Sequence, residues 1–330
     1  MEYKKKDQKH NVLVCLFELS NRHMDMLRAA FNVITWEQFD KDRVKVGKTI
    51  DAAIYNPASE EPLSSGFLLF LPNLKTFCFI SRGVNPKEAQ LLRERGIEWT
   101  SLPDVQSESC ADLVFGLILA ASRRIIEVIS LTASVRAKDP EIFKSCHLFL
   151  GKEVSGSTLG IIGMGSIGYK VAERAKGFHM NVLYHNRHKR SDIDEAAVGA
   201  KYFYNLRDML PLVDTLVIAC PLTPETKGAI GTEEFKMMKS SAIIVNIARG
   251  SIINTDALVN ALQSGYIRAA ALDATDPEPL PGDHPLLDMP NVLITPHIGS
   301  ATWETRDEMV RISIENVFVG IKHGSPSSVS

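Results

Sequence analysis

Short apolar runs alternate with amphipathic stretches along most of the chain. Val12–Phe17 reads as a strand and Arg22–Phe31 as a helix. Ala52–Ile54 and Phe77–Ile80 are further apolar runs, and Pro86–Arg95 is a helical stretch that stops at Gly96. A long apolar helix is predicted over Ala111–Ala133. Beyond it the alternation restarts, with strands at Thr158–Ile162, Val182–Tyr184, Thr215–Cys220, Ala242–Asn246, Ala269–Leu272 and Val292–Thr295. Near-continuous apolar runs of this length mark strands buried on both faces of a parallel sheet. The pattern predicts an α/β protein with two Rossmann-like domains. Residues 1–110 form the smaller, flavodoxin-like one, which an amphipathic tail within 302–330 completes. Residues 111–301 form a doubly wound domain.

Length and composition narrow this picture. The 330 residues suffice for two such domains. A 45% apolar and 23% charged composition is that of a globular chain, and a net charge of −2 gives no footing for bulk nucleic-acid binding. Cys15, Cys78, Cys110, Cys146 and Cys220 are scattered, with no C-x-x-C pair. That argues against a disulfide framework or a zinc site, so no metal is expected. The apolar stretch Leu113–Ala121 stops at Ser122-Arg123-Arg124, short of the roughly 20 residues a membrane span needs. The charged start, Met1–Lys6, has no signal-peptide form. The cytoplasm is the expected location.

Gly163-Met164-Gly165-Ser166-Ile167-Gly168 follows a predicted strand and opens a helix, Ser166–Lys176, before Gly177. In that setting each glycine has a mechanical reason. Gly163 permits the tight turn, Gly165 lets backbone approach a pyrophosphate, and Gly168 lets helix and strand pack closely. The N–H groups of Ser166 and Ile167 then face the phosphates. The end of the next strand selects the dinucleotide. Asp or Glu there binds a ribose 2′-hydroxyl. Here Asn186 stands at that position and Arg187 follows it, within Tyr184–Arg190. A carboxylate repels a 2′-phosphate, whereas a guanidinium grips one. The run predicts NADP(H).

Three further strand ends carry polar groups suited to 2-oxo acid chemistry. Arg249, in Asn246-Ile247-Ala248-Arg249-Gly250, is placed to bind a carboxylate and polarise the adjacent carbonyl. Asp273 can take a nicotinamide amide hydrogen bond or hold its own loop. Glu278 lies in Asp276-Pro277-Glu278-Pro279-Leu280-Pro281, where prolines restrict the backbone. His297, in Pro296-His297-Ile298-Gly299-Ser300, is the natural proton donor for carbonyl reduction, and Glu278 is a candidate to fix its tautomer.

These motifs resemble the D-isomer-specific 2-hydroxyacid dehydrogenases over most of the chain. Asp276–Pro281, His284–Leu287 and His297–Thr302 look nearest to the glyoxylate/hydroxypyruvate reductases, with 2-ketogluconate reductases close by. The resemblance implies NADPH-dependent reduction of a small 2-oxo acid to the D-2-hydroxy acid, in a cleft between two domains of a homodimer. It implies Arg249, Glu278 and His297 as the catalytic set. For the cofactor it adds Cys220, Pro221, Ile247, Asp273 and Gly299 to the glycine turn, Asn186 and Arg187. For the substrate it implies Arg82, Gly83 and Ser300 beside Arg249 and His297. Three departures stand out: Arg82 replaces a small or aliphatic residue, with Asn85 beside it for a frequent Asp; Asp112 replaces a frequent Glu; and Ala137–Phe149 lacks the tryptophans that hydroxypyruvate reductases often carry there. Arg82 either adds a cation at the substrate mouth or points to solvent. The alternatives are a 2-ketogluconate reductase and a non-catalytic dinucleotide-sensing scaffold, like the corepressors of this fold.

Overall fold

The computed structural model describes residues 9–15, 19–56, 62–81, 84–135 and 146–323. The chain divides into two compact units, residues 1–105 with 302–330, and residues 106–301.

The first unit runs β1 (Asn11–Cys15), α1 (Asn21–Ala30), β2 (Asn32–Thr35), α2 (Trp36–Lys41), α3 (Arg43–Gly47), β3 (Ala52–Tyr55), α4 (Ser65–Leu69), β4 (Thr76–Phe79), α5 (Pro86–Glu94) and β5 (Glu98–Ser101). Its strands pair in parallel in the order β2-β1-β3-β4-β5, the flavodoxin-like order. Successive residues of β1 face opposite ways. Leu13 and Cys15 join Phe39, Phe67, Phe77 and Phe79 on one face. Val12 and Val14 join Ile54, Cys78, Val310 and Val317 on the other. The last two belong to the C-terminal helix, Trp303–His323, which covers that second face.

The second unit contains α6 (Ser107–Ser122), α7 (Ile125–Val135), β6 (Thr158–Ile162), α8 (Ser166–Ala175), β7 (Asn181–His185), α9 (Asp192–Val198), β8 (Ala200–Tyr202), α10 (Leu206–Met209), β9 (Thr215–Ile218), α11 (Thr232–Met237), β10 (Ile243–Asn246), α12 (Thr255–Gln263), β11 (Ala269–Leu272) and β12 (Val292–Ile294). Its seven-stranded sheet has the order β12-β11-β10-β9-β6-β7-β8, parallel throughout. Chain direction along the sheet reverses between β6 and β9. Ligands of doubly wound sheets sit outside the carboxyl ends of strands at such a switch point. Alternate residues again split between two cores. Ile161, Val217, Val245 and Ala271 pack with α6 and α8, and Ile162, Ile218, Ile244 and Leu272 pack with α11 and α12.

The helix expected over Ala111–Ala133 is broken. α6 ends at Ser122, and Arg124 takes a left-handed φ of 55° before α7 begins. The break has a physical cause in the partners waiting for the freed carbonyls. Arg268 donates to the carbonyls of Ala121 and Ser122 at 2.8 and 2.9 Å, and Lys152 N–H donates to Ser122 at 2.8 Å. Three short strands, β2, β5 and β8, carry no continuous apolar run and lie at sheet edges. No helix among the described residues is long and apolar enough to cross a membrane.

Candidate active site

The glycine turn lies between β6 and α8, at the switch point. Gly163 has φ +92°, and a Cβ there would stand 2.4 Å from the Cys220 nitrogen. Gly168 presses on the Gly163 carbonyl, where a Cβ would come within 2.3 Å. Gly165 faces open space and starts α8 with no side-chain cap. The N–H groups of the first turn, beginning at Ser166 and Ile167, are therefore left for a ligand. Cys220 follows β9 and walls the turn. Burial pushes its thiol up to about 11, so it is a neutral, small apolar group. Pro221 after it is exposed.

Beyond β7, Asn186 folds back on the turn. Its Oδ1 accepts from Met164 N–H at 2.6 Å, and its own carbonyl accepts from Tyr202 Oη at 3.0 Å. Arg187 is exposed, and after the Thr223 hydroxyl its charge helps to hold the nearby Glu225 carboxyl below its ordinary value. Lys189 is taken up by Asp192 and Glu195. Arg190 plays a part that the sequence did not mark. Its Nη1 donates to the Met164 carbonyl at 3.0 Å, its guanidinium lies 4.6 Å from the centre of the Tyr169 ring, and Asp194 pairs with it at 3.0 Å. Its backbone N–H donates to Tyr184 Oη, which donates in turn to Glu195 at 2.6 Å. Burial and then the Glu195 carboxylate push that phenol up to about 12, so it stays a donor. The Arg190–Asp194 pair has the i,i+4 spacing of a helix-start ion pair, the one signal that could have singled it out.

Arg249, Glu278 and His297 follow three neighbouring strands, β10, β11 and β12, at their carboxyl ends. Asn246, fully buried, shapes the first loop: its Oδ1 accepts from Ala248 N–H and its Nδ2 donates to the Arg249 carbonyl, both at 3.0 Å. Ile247 is buried beneath, while Arg249 is exposed with Nη1 on the Ala248 carbonyl at 2.7 Å.

His297 Nδ1 and Glu278 Oε1 lie 2.7 Å apart. A carboxylate only accepts, so the imidazole donates from Nδ1, and Nε2 is the nitrogen left for a substrate. His297 has φ 54°, a left-handed backbone uncommon outside glycine. Asp273, 2% exposed, holds it there. Oδ1 of Asp273 accepts from Thr295 Oγ1 at 2.6 Å and Ile298 N–H at 2.8 Å, and Oδ2 accepts from Gly299 N–H at 2.8 Å. Both oxygens of Asp273 thus serve the histidine loop, and a nicotinamide amide would share one of them. Gly299 is buried against Cys110 and Asp273, and Ser300 follows it half-buried. Arg82 and Gly83 lie outside the described residues. Among the described residues no group of His, Cys, Asp and Glu side chains could hold a metal ion.

The NAD-binding-domain model of the D-isomer-specific 2-hydroxyacid dehydrogenases matches residues 115–299. A glyoxylate reductase of Thermococcus gammatolerans is 37% identical over 303 residues, 91% of this chain and 90% of its own. A glyoxylate/hydroxypyruvate reductase B of Pectobacterium atrosepticum is 41% identical over 256 residues, 77% of this chain and 78% of its own. Among solved structures, an NADPH-dependent glyoxylate/hydroxypyruvate reductase of Sinorhizobium meliloti, in complex with NADP and malonate, superposes with a TM-score of 0.81 at 26% identity, covering 97% of this chain and 96% of that one. A motif set, a strand order and these likenesses converge: the chain belongs to the D-isomer-specific 2-hydroxyacid dehydrogenase family.

Proposed function

We propose that this protein reduces a small 2-oxo acid, glyoxylate or hydroxypyruvate, to the D-2-hydroxy acid with NADPH, as a homodimer in the cytoplasm. The observation that carries the chemistry is the 2.7 Å pairing of Glu278 with Nδ1 of a histidine held at a strand end. Relatives named glyoxylate reductase and glyoxylate/hydroxypyruvate reductase favour these substrates.

The turn residues fit a dinucleotide. The uncapped start of α8, the open space at Gly165 and the close seat of Gly163 on Cys220 together make a cradle of backbone donors. Arg187 would meet a 2′-phosphate, with Asn186 offering no competing charge. Bound there, the reduced cofactor supplies the hydride that goes to C2. Arg249 binds the substrate carboxylate and polarises its carbonyl. As the imidazolium, with Nδ1–H held by Glu278, His297 gives its Nε2 proton to the carbonyl oxygen and is left as the neutral Nδ1–H tautomer, and Glu278 keeps the ring in the direction that this requires. In this reading residues 106–301 hold the cofactor, and Arg82 and Gly83 are candidates to contact the substrate.

The test is the fall in absorbance at 340 nm, the reduced nicotinamide band, with NADPH and separately NADH. Glyoxylate, hydroxypyruvate and 2-ketogluconate are the substrates. Turnover of the first two with NADPH well above NADH is expected. Absence of turnover with every 2-oxo acid would remove the enzymatic reading, and an NADH preference would remove the role given to Arg187.

A further inference from the structure

Arg249 and Glu278 follow adjacent strands, and side chains given no role so far tie their loops together. Gly250, next to Arg249, rests on the peptide before Glu278's loop. A Cβ there would lie 1.9 Å from the Thr275 carbonyl carbon and 2.4 Å from Asp276 N. Ser251 Oγ donates to Asp276 Oδ2 at 2.5 Å. Thr255 Oγ1, at the start of α12, donates to the Asp276 carbonyl at 2.9 Å. Asp276 is therefore pinned by side chain and backbone together, two residues before Glu278. Just before Asp276, Thr275 Oγ1 donates to the Pro277 carbonyl at 2.9 Å, and Thr275 N–H reaches Glu278 Oε2 at a long 3.4 Å. Ser251 is itself fixed, since its carbonyl accepts from Gly228 N–H at 2.8 Å.

We propose that Ser251 and Asp276 are positioning residues that clamp Glu278 against Nδ1 of His297. The proposal rests on the acid–base reading of that pair. The pair needs outside support because both partners are open to water, at 43% and 41% side-chain exposure. An exposed ion pair is weak and does not hold two side chains in one geometry by itself. Burial does not fix Glu278, so its loop must: the buried Gly250 seats on the Thr275–Asp276 peptide, and two hydrogen bonds at the surface, from Ser251 and Thr255, then hold Asp276 to the Arg249 turn. The same clamp keeps the carboxylate-binding and proton-donating elements in register, since Ser251 lies two residues after Arg249. Loss of the clamp frees Glu278 and lets the imidazole drift from the Nδ1–H tautomer to the Nε2–H form common in solution. That form cannot donate to the carboxylate from Nδ1.

The experiment reads the His297 tautomer and turnover in the same full-length variants. Two-bond 15N–1H correlation spectra of histidine-labelled protein, at a pH where the ring is neutral, report the tautomer through carbon-bound protons. His297→Gln assigns the signal. Wild type is expected as Nδ1–H. Ser251→Ala and Asp276→Ala are expected to shift His297 to a mixture dominated by Nε2–H, Thr255→Val to do so in part, and Ser251→Thr to restore wild type. With NADPH and glyoxylate, kcat of Ser251→Ala should fall about fivefold to tenfold, the scale of one lost hydrogen bond, with KM moved less than about twofold. The loss should vanish in a Glu278→Gln background, because residues that act through one another are not additive. An Nδ1–H signal unchanged in Ser251→Ala, Asp276→Ala and Thr255→Val overturns the clamp. So does a kcat loss that persists in full beside Glu278→Gln. If wild type turns over no 2-oxo acid, the tautomer result still decides the clamp, and only the proposed reaction falls.

Discussion

Asn186 Oδ1 accepts the Met164 N–H at 2.6 Å, which joins the end of β7 to the middle of the glycine turn. The residue at this position therefore shapes the turn, and in the proposed function it also faces the ribose. An aspartate would keep the hydrogen bond and add a charge. With a 2′-phosphate nearby, one carboxylate a few ångströms away costs on the order of 1–4 kcal/mol at intermediate dielectric. Asn186→Asp should raise KM for NADPH about tenfold or more and leave that for NADH within about threefold. Initial rates with both cofactors check this, and equal losses for the two would refute it.

The two arginines near Asn186 should separate by what they lose. Arg187 is exposed, with only a weak, solvent-screened attraction to Glu225, so Arg187→Ala should cost chiefly the phosphate contact. A charge-assisted hydrogen bond is worth about 1.5–3 kcal/mol, or roughly tenfold to a hundredfold in KM for NADPH alone. Arg190 is anchored on Met164, Tyr169 and Asp194. Arg190→Ala should loosen the turn and weaken NADPH and NADH together. Cofactor titration by fluorescence distinguishes the two patterns, and an Arg190 effect confined to NADPH would make it the phosphate ligand instead.

His297→Gln removes the proton donor and should lower kcat by about 10²–10⁴-fold. Glu278→Gln leaves the donor but loses its orientation, for which about tenfold to a hundredfold is appropriate. Neither should move the dissociation constant of NADPH by more than about twofold, since the turn lies on β6 and the pair on β11 and β12. A Glu278→Gln variant with full kcat would show that the 2.7 Å contact is idle in catalysis.

The buried parallel strands were legible because their chemistry is uniform. Thr158–Ile162 and Ala269–Leu272 occur with the bounds that their apolar runs predict. Three edge strands, β2, β5 and β8, were not, because Asn32–Thr35, Glu98–Ser101 and Ala200–Tyr202 hold no more than two consecutive apolar residues, whereas the edge strand β12, Val292–Ile294, is apolar throughout and was legible. The break at Arg124 was hidden for another reason. Local propensity favours one helix, and the partners that end it, Arg268 and Lys152, are remote in sequence. At the candidate site, spacing and context placed Arg249 and His297 just after strands and Glu278 in the proline-rich loop between them. They could not tell which of the cations after Asn186 folds back onto the turn, nor that Asp273 spends both oxygens on the histidine loop. Such choices are made by tertiary contacts that a single sequence does not encode locally.

Gly163 combines a φ of +92° with a Cβ position 2.4 Å from the Cys220 nitrogen. Neither backbone can yield without moving β6 or β9. Gly163→Ala should destabilise the second unit by about 2–4 kcal/mol, from left-handed strain plus overpacking. Cofactor should then fail to recover the lost melting temperature. A variant with wild-type melting temperature and wild-type NADPH affinity would show that the seat on Cys220 is soft.

At the opposite end of the second sheet, Asp214 clips the starts of three strands. Its Oδ2 accepts from Thr158 N–H at 3.0 Å, its backbone N–H donates to the Thr158 carbonyl at 2.8 Å, and its carbonyl accepts from Ile243 N–H at 3.0 Å. Lys239 reaches Oδ1 at 3.0 Å, with Lys152 at 4.0 Å. Burial raises this carboxyl, but the Thr158 N–H and then Lys239 and Lys152 outweigh it and hold it below its ordinary value. A carboxyl depressed on folding contributes stability at every pH above its unfolded value, and loses it as pH falls through the folded one. Asp214→Asn should therefore cost about 1–2 kcal/mol at neutral pH, the range of a hydrogen bond to a charged group in part-exposed surroundings. The difference from wild type should shrink as the pH drops through the acid range, where the wild-type carboxyl is protonated too. Urea unfolding at a series of pH values measures it. A gap between the two proteins that stays constant into acid would mean that Asp214 supports the strand starts by shape alone, with its charge contributing nothing.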